Sequence, residues 1–119
     1  MEQNKFEIAG RINHTEIKDY TNCKVAKFAV SKKIGEDKYV SYWVTMFDDK
    51  AVEAEKKIKK GDCGYFSGKM SISTYTVNGQ EVPKIDLIAS EAKKVVYDTN
   101  QKQYIEVYEE EQKGIEDWD

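Results

Sequence analysis

Residues 39–47 decide the fold, and they read Tyr-Val-Ser-Tyr-Trp-Val-Thr-Met-Phe. Side chains alternate between the two faces of a β-strand, so every second residue of this stretch shares a face. One face carries Val40, Tyr42, Val44 and Met46, and the other carries Tyr39, Ser41, Trp43, Thr45 and Phe47. Because both faces bear aromatic rings, the stretch is predicted to be a strand covered on both sides, by protein or by a ligand.

Two further strands are predicted before this stretch. Residues 5–12 and 26–31 both alternate apolar and polar side chains, and Gly10 inside the first suggests a bulge or a sharp bend. Residues 14–22 are polar and are predicted to form a turn. Residues 32–38 contain several lysines and a glycine, which predicts a basic flexible loop.

One helix is predicted after residues 39–47. Ala51, Ala54 and Ile58 recur at helical spacing within residues 50–60. The pair Asp48-Asp49 is predicted to cap the helix, and Gly61 to end it.

A long hairpin follows the helix. Residues 64–76 and 82–89 are predicted strands, joined at Asn78-Gly79, a strong signal for a tight hairpin turn. Residues 95–97 are predicted to close the domain, and residues 104–107 to form either a short strand or a tether. Three strands, a helix and a hairpin in this order predict an all-β OB-fold, a five-stranded partly open barrel with its helix between strands 3 and 4. An open sheet with one helix is the alternative, but it leaves one aromatic face of residues 39–47 uncovered.

Charge divides the chain into a body and a tail. The 119 residues suit one domain and carry a net charge of −3. Residues 98–119 hold eight acids and two lysines, which leaves 17 basic and 14 acidic residues in residues 1–97. We therefore predict a mildly basic domain over residues 1–97 and a flexible acidic tail over residues 98–119.

Catalysis and cofactor binding are not expected. Cys23, Cys63 and His14 lie far apart in the sequence, whereas zinc takes about four grouped ligands. No set of residues suggests a nucleophile with its base, so neither an enzyme nor a cofactor is predicted. Neither a signal peptide nor a transmembrane run is recognisable, so a cytoplasmic location, in a bacterium or a phage-infected host, is expected.

Three segments of the chain carry a family pattern. They are Phe6-Glu7-Ile8-Ala9-Gly10-Arg11-Ile12, then Val25-Ala26-Lys27-Phe28-Ala29-Val30, and finally residues 44–70, with Val44-Thr45-Met46-Phe47, Lys60-Gly61-Asp62 and Tyr65-Phe66-Ser67-Gly68-Lys69-Met70. In this order and spacing they resemble the bacterial and bacteriophage single-stranded DNA-binding (SSB) protein family. The resemblance covers residues 5–96. It implies an OB-fold that coats single-stranded DNA in replication, recombination and repair, as a homo-oligomer, with a tetramer favoured and a dimer as the alternative.

The resemblance also implies base-stacking positions. Phe47 and Tyr75 occupy positions where the family places aromatic residues that stack on bases. Many relatives have another aromatic where this chain has Ser41, and we expect Trp43, on the same face, to replace it. The alternatives are that Trp43 packs at a subunit interface and that Phe47 plugs the end of the barrel.

Cations complete the candidate DNA site. Stacking aromatics with phosphate-binding cations is the combination typical of single-strand binding without sequence preference. The candidate set is Trp43, Phe47, Tyr75 and Tyr39 for the bases, with Lys27, Lys32, Lys33, Lys38, Lys69 and Arg11 for the phosphates. Since Arg11 is the only arginine, bidentate reading of guanine is scarce.

The acidic end differs from that of the family. Relatives often end in an acidic run closed by Ile-Pro-Phe, which binds partner proteins, whereas this chain ends Ile115-Glu116-Asp117-Trp118-Asp119. The tail is predicted either to bind replication or recombination proteins or to compete with DNA, and its form suggests a phage or mobile-element origin. The alternative function is an OB-fold interaction module of a replication complex with weak DNA binding.

Overall fold

The computed structural model describes residues 4–107, as a chain of strands interrupted by one helix. The elements are β1 (Lys5–Asp19), β2 (Lys24–Gly35), β3 (Lys38–Phe47), α1 (Asp48–Lys57), β4 (Cys63–Val77), β5 (Gln80–Asp98) and β6 (Gln103–Glu106). No helix in this part of the chain is long and apolar enough to cross a membrane.

The strands form one sheet that closes on itself. Their order is β3-β2-β1-β4-β5-β6, and β3 also pairs in parallel with β5 at Val44–Leu87 and Thr45–Ile88. This short contact closes β1–β5 into a barrel that is open elsewhere. The predicted five-stranded OB-fold with a helix between strands 3 and 4 is therefore confirmed.

The barrel interior is filled by residues of β1 to β5. Phe28 of β2 and Phe66 of β4 are fully buried, with ring centroids 5.2 Å apart. The helix α1 adds the buried side chains Ala51 and Ala54, and Ile58 follows just after it. Strand alternation thus sends the apolar set inward and leaves the opposite set on the outer surface.

A sharp bend in β1 lets this strand serve two neighbours. Residues 5–11 pair with β4, whereas β1 pairs with β2 from Arg11 onward, with a register shift between Ile12 and His14. A Cβ atom at Gly10 would lie 2.5 Å from the carbonyl oxygen of Ser31, so only glycine allows the backbones to approach this closely.

Two predicted connections are shorter than expected, because most of their residues are strand, and the first is confined to residues 20–23. Residues 14–19 continue β1, and residues 32–35 and 38 belong to β2 and β3, with the turn confined to Glu36 and Asp37. Asp37 adopts a φ of 58°, which suits a tight turn. The polar composition of these residues predicts a loop, but it arises because the outer face of the strands is exposed to water.

The predicted helix cap is also wrong. Phe47 is the N-cap residue and no side chain caps it, while Asp48 has a φ of 53° and its carboxylate accepts a hydrogen bond from the Lys24 N–H at 3.3 Å. This aspartate therefore ties the start of α1 to β2. The helix ends at Lys57, before the predicted end at residue 60.

The C-terminal end of the described chain carries extra pairing. Residues 82–89 and 95–97 belong to the single strand β5, which bulges near Ser90. The predicted boundary at residue 97 falls inside this strand. β6 then folds back along β5, with Tyr104 opposite Tyr97, so residues 104–106 form the short strand that was one of the two alternatives.

Candidate nucleic-acid interface

The outer face of β3 carries two half-exposed aromatic rings. Val44 and Met46 point into the core, so alternation places Trp43, Thr45 and Phe47 on the opposite side. Trp43 is 44% exposed and Phe47 is 43% exposed, which disfavours a plug of the barrel end at Phe47.

The indole of Trp43 has an aromatic neighbour on β1. His14 stands edge-on to it, with ring centroids 5.7 Å apart and ring planes at 81°. The two residues meet because β2 contributes only Ala29 between them, which pairs with both. A small residue in the middle strand therefore lets the outer rings approach across it.

A cavity of about 700 Å³ adjoins this tryptophan. Lys27 also lines it, opposite Thr45 in the sheet, so this predicted cation does lie beside Trp43. The hairpin arms contribute Met70 and Leu87 to the same cavity.

Tyr75 lies on the protruding arm of the β4–β5 hairpin. Thr45 pairs with Ile88, Ile88 pairs with Lys69, and Tyr75 follows Lys69 at an even spacing along β4. Tyr75 and Lys69 are therefore on the same side of the sheet as Trp43. Tyr75 is 48% exposed, so its ring is accessible from that side.

A second cavity, of about 620 Å³, gathers three more of the predicted residues. Arg11, Lys33 and Tyr39 line it, and Tyr39 is 63% exposed. Lys33 pairs with Tyr39 across β2 and β3, which brings this cation and this ring together.

Lys32 is placed differently from the other candidates. Its ammonium group donates a hydrogen bond of 2.5 Å to the carbonyl of Ala9 and lies 5.7 Å from the centre of the Tyr104 ring. Alternation from the buried Val30 puts it on the other side of the sheet from Trp43. Lys38, by contrast, is exposed at the start of β3.

Carboxylates surround the cavity at Trp43. Glu7, Glu16 and Asp86 line it together with Lys27. The Lys18 ammonium lies 3.1 Å from Glu16, and this hydrogen bond holds the pKa of Glu16 below its usual value. Glu16 is therefore ionised at neutral pH, and the surface near Trp43 is suited to bases better than to phosphates.

No group of three or more His, Cys, Asp or Glu side chains in residues 4–107 could hold a metal ion. Cys23 is exposed and Cys63 is half-buried, and both are free thiols. The predicted partner-binding residues 115–119 lie outside the described residues.

Solved structures of single-stranded DNA-binding proteins superimpose on this chain. The mitochondrial single-stranded DNA-binding protein of S. cerevisiae superimposes with a TM-score of 0.66 at 16% identity, covering 79% of this chain and 96% of that one. The chain has the OB-fold of SSB proteins. The small single-stranded DNA-binding protein of Streptomyces coelicolor gives a TM-score of 0.57 at 17% identity, over 85% of this chain and 99% of that one. The SSB domain of a Synechococcus protein gives 0.57 at 14% identity, over 77% of this chain and 96% of that domain.

The comparisons of sequence find no match, in contrast to the comparison of structures. No family model matches the chain, and no curated protein matches it. The likeness to SSB proteins that these comparisons show therefore lies in the fold.

Three residues of this surface were not singled out in the sequence. His14 was assigned to a polar turn, and its contact with Trp43 depends on the register of β1 against β2. Lys60 and Tyr104 line the second cavity, although they lie in the connection after α1 and in β6. Of these three residues, only His14 lies in a stretch with a strand pattern, because Glu16 and Lys18 follow it at every second position.

Proposed function

We propose that this protein binds single-stranded DNA without sequence preference and performs no covalent chemistry. The observation that supports this most is the placement of Trp43, Phe47 and Tyr75, which lie half-exposed on one side of the sheet. We call these three rings the aromatic surface. Large apolar rings left in water on one side of a barrel are typical of a binding surface.

Stacking on such rings requires unpaired bases. A base in a duplex already has its faces covered by its neighbours, whereas a single strand can turn each base onto an aromatic ring for about 1–3 kcal/mol. Every base has such a face, so stacking is tolerant of sequence. Arg11, the only arginine, leaves few groups to read base edges.

We further propose that the protein forms a homo-oligomer through the edge of β1. Residues 5–9 pair with β4 on one side, and no described strand pairs with them on the other. An unpaired edge is a ready template for a second chain. A dimer made in this way could associate further into the tetramer that the family resemblance favours.

Alternate residues of this edge direct their backbone groups away from β4. Met70 donates its N–H to the carbonyl of Asn4, so the backbone groups of residues 6 and 8 also face β4, while those of Lys5, Glu7 and Ala9 face outward. The hydrogen bond from Lys32 to the Ala9 carbonyl agrees with this assignment. Glu7 lies at the centre of the free segment.

The cellular role proposed is the coating of single strands during replication, recombination and repair, in the cytoplasm of a bacterium or a phage-infected host. The form of the acidic tail favours a phage or mobile-element member. Residues 115–119 are proposed to bind replication or recombination proteins, or to compete with DNA for the domain.

A protein-interaction module of a replication complex is the second candidate. The three carboxylates lining the Trp43 cavity favour it, because they repel phosphates. It predicts weak binding to every nucleic acid and capture of a replication protein instead.

Binding of labelled oligonucleotides distinguishes the two candidates. Fluorescence anisotropy would be measured with oligo(dT), oligo(dA), a mixed single strand and a duplex, each of about 35 nucleotides. The proposal expects similar, tight binding of the single strands and much weaker binding of the duplex. Equal weakness for all four would favour the interaction module.

A further inference from the structure

The cations of the described surface converge away from Trp43, on the second cavity. Arg11, Lys33 and Lys60 line it with Tyr39 and Tyr104, and no carboxylate of residues 4–107 does. We call this cavity the cationic groove. The cavity at Trp43 has Lys27 as its cation and three carboxylates, so the two cavities differ in the sign of their charge.

The fold places Lys60 in this groove through two backbone hydrogen bonds. Gly61 donates to the carbonyl of Ile12, and Ile12 donates to the carbonyl of Asp62, both at 2.8 Å. Gly61 has a φ of 96°, which other residues rarely adopt, so the connection after α1 turns tightly against β1. Lys60 thereby comes beside Arg11, although 49 positions separate them in the chain.

The nearest acid of this connection is occupied elsewhere. Asp62 accepts a hydrogen bond of 2.8 Å from the Lys59 N–H and lies 3.7 Å from the Lys94 ammonium. Among the described residues, no carboxylate forms an ion pair with Arg11, Lys33 or Lys60. Three cations therefore face the groove with no carboxylate partner.

Two tyrosine rings border these cations. Tyr39 is exposed on β3, and Tyr104 is held by β6, where its ring centroid lies 5.1 Å from that of Tyr97. Burial raises the pKa of Tyr104, so its hydroxyl stays neutral and adds no negative charge. Rings beside cations suit a strand that carries both bases and phosphates.

The cationic groove is continuous with the aromatic surface along β3. Trp43, Ser41 and Tyr39 follow at two-residue spacing on the outer face, about 6.6 Å per step. Ser41 pairs with Ser31 of β2, and the Asn13 side chain donates a hydrogen bond to the Ser41 hydroxyl at 3.4 Å. Ser41 lines the Trp43 cavity, and Ser31 and Asn13 line the cationic groove, so the two cavities adjoin at uncharged residues.

We propose that the cationic groove is the main phosphate-binding segment of the DNA path, with Lys60 as one of its cations. A strand whose bases stack at Trp43 continues past Ser41 and Tyr39 and places its backbone against Arg11, Lys33 and Lys60. This inference rests on the proposed function and adds a division of labour, in which bases are held at one cavity and phosphates at the other.

Salt dependence measures phosphate contacts and therefore tests this division. We would compare Lys60→Gln and the triple variant Arg11→Gln/Lys33→Gln/Lys60→Gln with the wild type in binding to oligo(dT). The matched control is Lys56→Gln, an exposed helix lysine that lines neither cavity. Urea unfolding of each variant would confirm that the barrel is intact.

Each lost contact should reduce the slope of log K against log salt by about 0.7. The loss of affinity between about 50 and 200 mM salt should then shrink by about 2.5-fold for Lys60→Gln and by about 18-fold for the triple variant. Trp43→Ala should weaken binding with an unchanged slope, and Lys56→Gln should change neither quantity.

Three different results would overturn the inference. If the wild type binds oligo(dT) but the triple variant keeps its slope, the phosphates bind elsewhere and only the division of labour fails. If the wild type binds no oligo(dT), the proposed function fails as well. If an acidic peptide binds the groove, and the triple variant binds DNA as the wild type does, the groove is assigned to a protein partner.

Discussion

The imidazole of His14 stands edge-on to the indole of Trp43, 5.7 Å away between ring centroids. This contact joins β1 to β3 across Ala29 and restricts the orientation of the ring that we assign to base stacking. Holding a ring in place before binding reduces the entropy that is lost when a base stacks on it. We therefore expect the two residues to act together, with Trp43 as the ring that stacks on the base.

Replacing His14 should weaken DNA binding without changing the fold. Aromatic pairs contribute about 0.5–1.5 kcal/mol, so His14→Ala should lower affinity for oligo(dT) by about 2- to 10-fold. His14→Phe keeps a ring at this position and should retain most of the affinity. Anisotropy titrations of the three proteins would measure this, and equal affinity of the alanine and wild-type proteins would contradict it.

Adding a methyl group at Gly10 should destabilise the barrel. The Cβ atom of an alanine would lie 2.5 Å from the Ser31 carbonyl oxygen, so the backbones of β1 and β2 must separate. We expect Gly10→Ala to lower the free energy of unfolding by about 1–3 kcal/mol in urea titrations. Gly35→Ala is the control, because its nearest contact would be an ordinary 3.7 Å. Equal effects of the two substitutions would be inconsistent with crowding at Gly10.

Blocking the free edge of β1 should dissociate the oligomer. The outward N–H of Glu7 is lost in Glu7→Pro, while the pairing of β1 with β4 uses residues 6 and 8. Light scattering after gel filtration should show a smaller assembly for this variant. Glu7→Ala is the matched control, since both variants lose the 2.6 Å hydrogen bond that Tyr65 donates to Glu7. An assembly unchanged in Glu7→Pro would exclude pairing at this edge.

Removing the acidic tail should tighten DNA binding at low salt. Residues 109–119 include six acids and one lysine, and a tethered polyanion competes with phosphates for the same cations. Truncation before Glu109 should raise affinity for oligo(dT) several-fold at about 0.05 M salt and have little effect near 1 M, where charges are screened. A variant with glutamine in place of Glu109, Glu110 and Glu111 should show part of this gain in affinity. No change at low salt would rule out competition.

Much of the fold could be predicted from the sequence, because alternation is a local signal. Residues 39–47 and the Asn78-Gly79 turn both lie where they were expected, with Asn78 at a φ of 51° and Gly79 at 80°. The errors at residues 14–22 and 32–38 share one cause. A strand with a solvated outer face has the composition of a loop, and only its pairing with a neighbour distinguishes the two.

The candidate site was harder to predict, because it depends on contacts between distant segments. The likeness of Trp43, Phe47 and Tyr75 to stacking positions was visible in the sequence, but the hydrogen bond from Lys32 to the Ala9 carbonyl joins two strands and was not. Lys60 came to the surface of β1 through the backbone of Gly61 and Asp62. No pattern within a short segment contains that information.

A fluorescence titration with oligo(dT) tests directly whether the surface that carries Trp43 binds single-stranded DNA. Trp43 is 44% exposed on the proposed stacking surface, so a single strand should quench its emission strongly, and a duplex of the same length should quench it little. Trp43→Phe removes this indole but leaves Trp118, so the quenching should largely disappear while binding by anisotropy persists. Unchanged emission of the wild type with oligo(dT), together with an absence of binding by anisotropy, would contradict the assignment of this surface to single-stranded DNA.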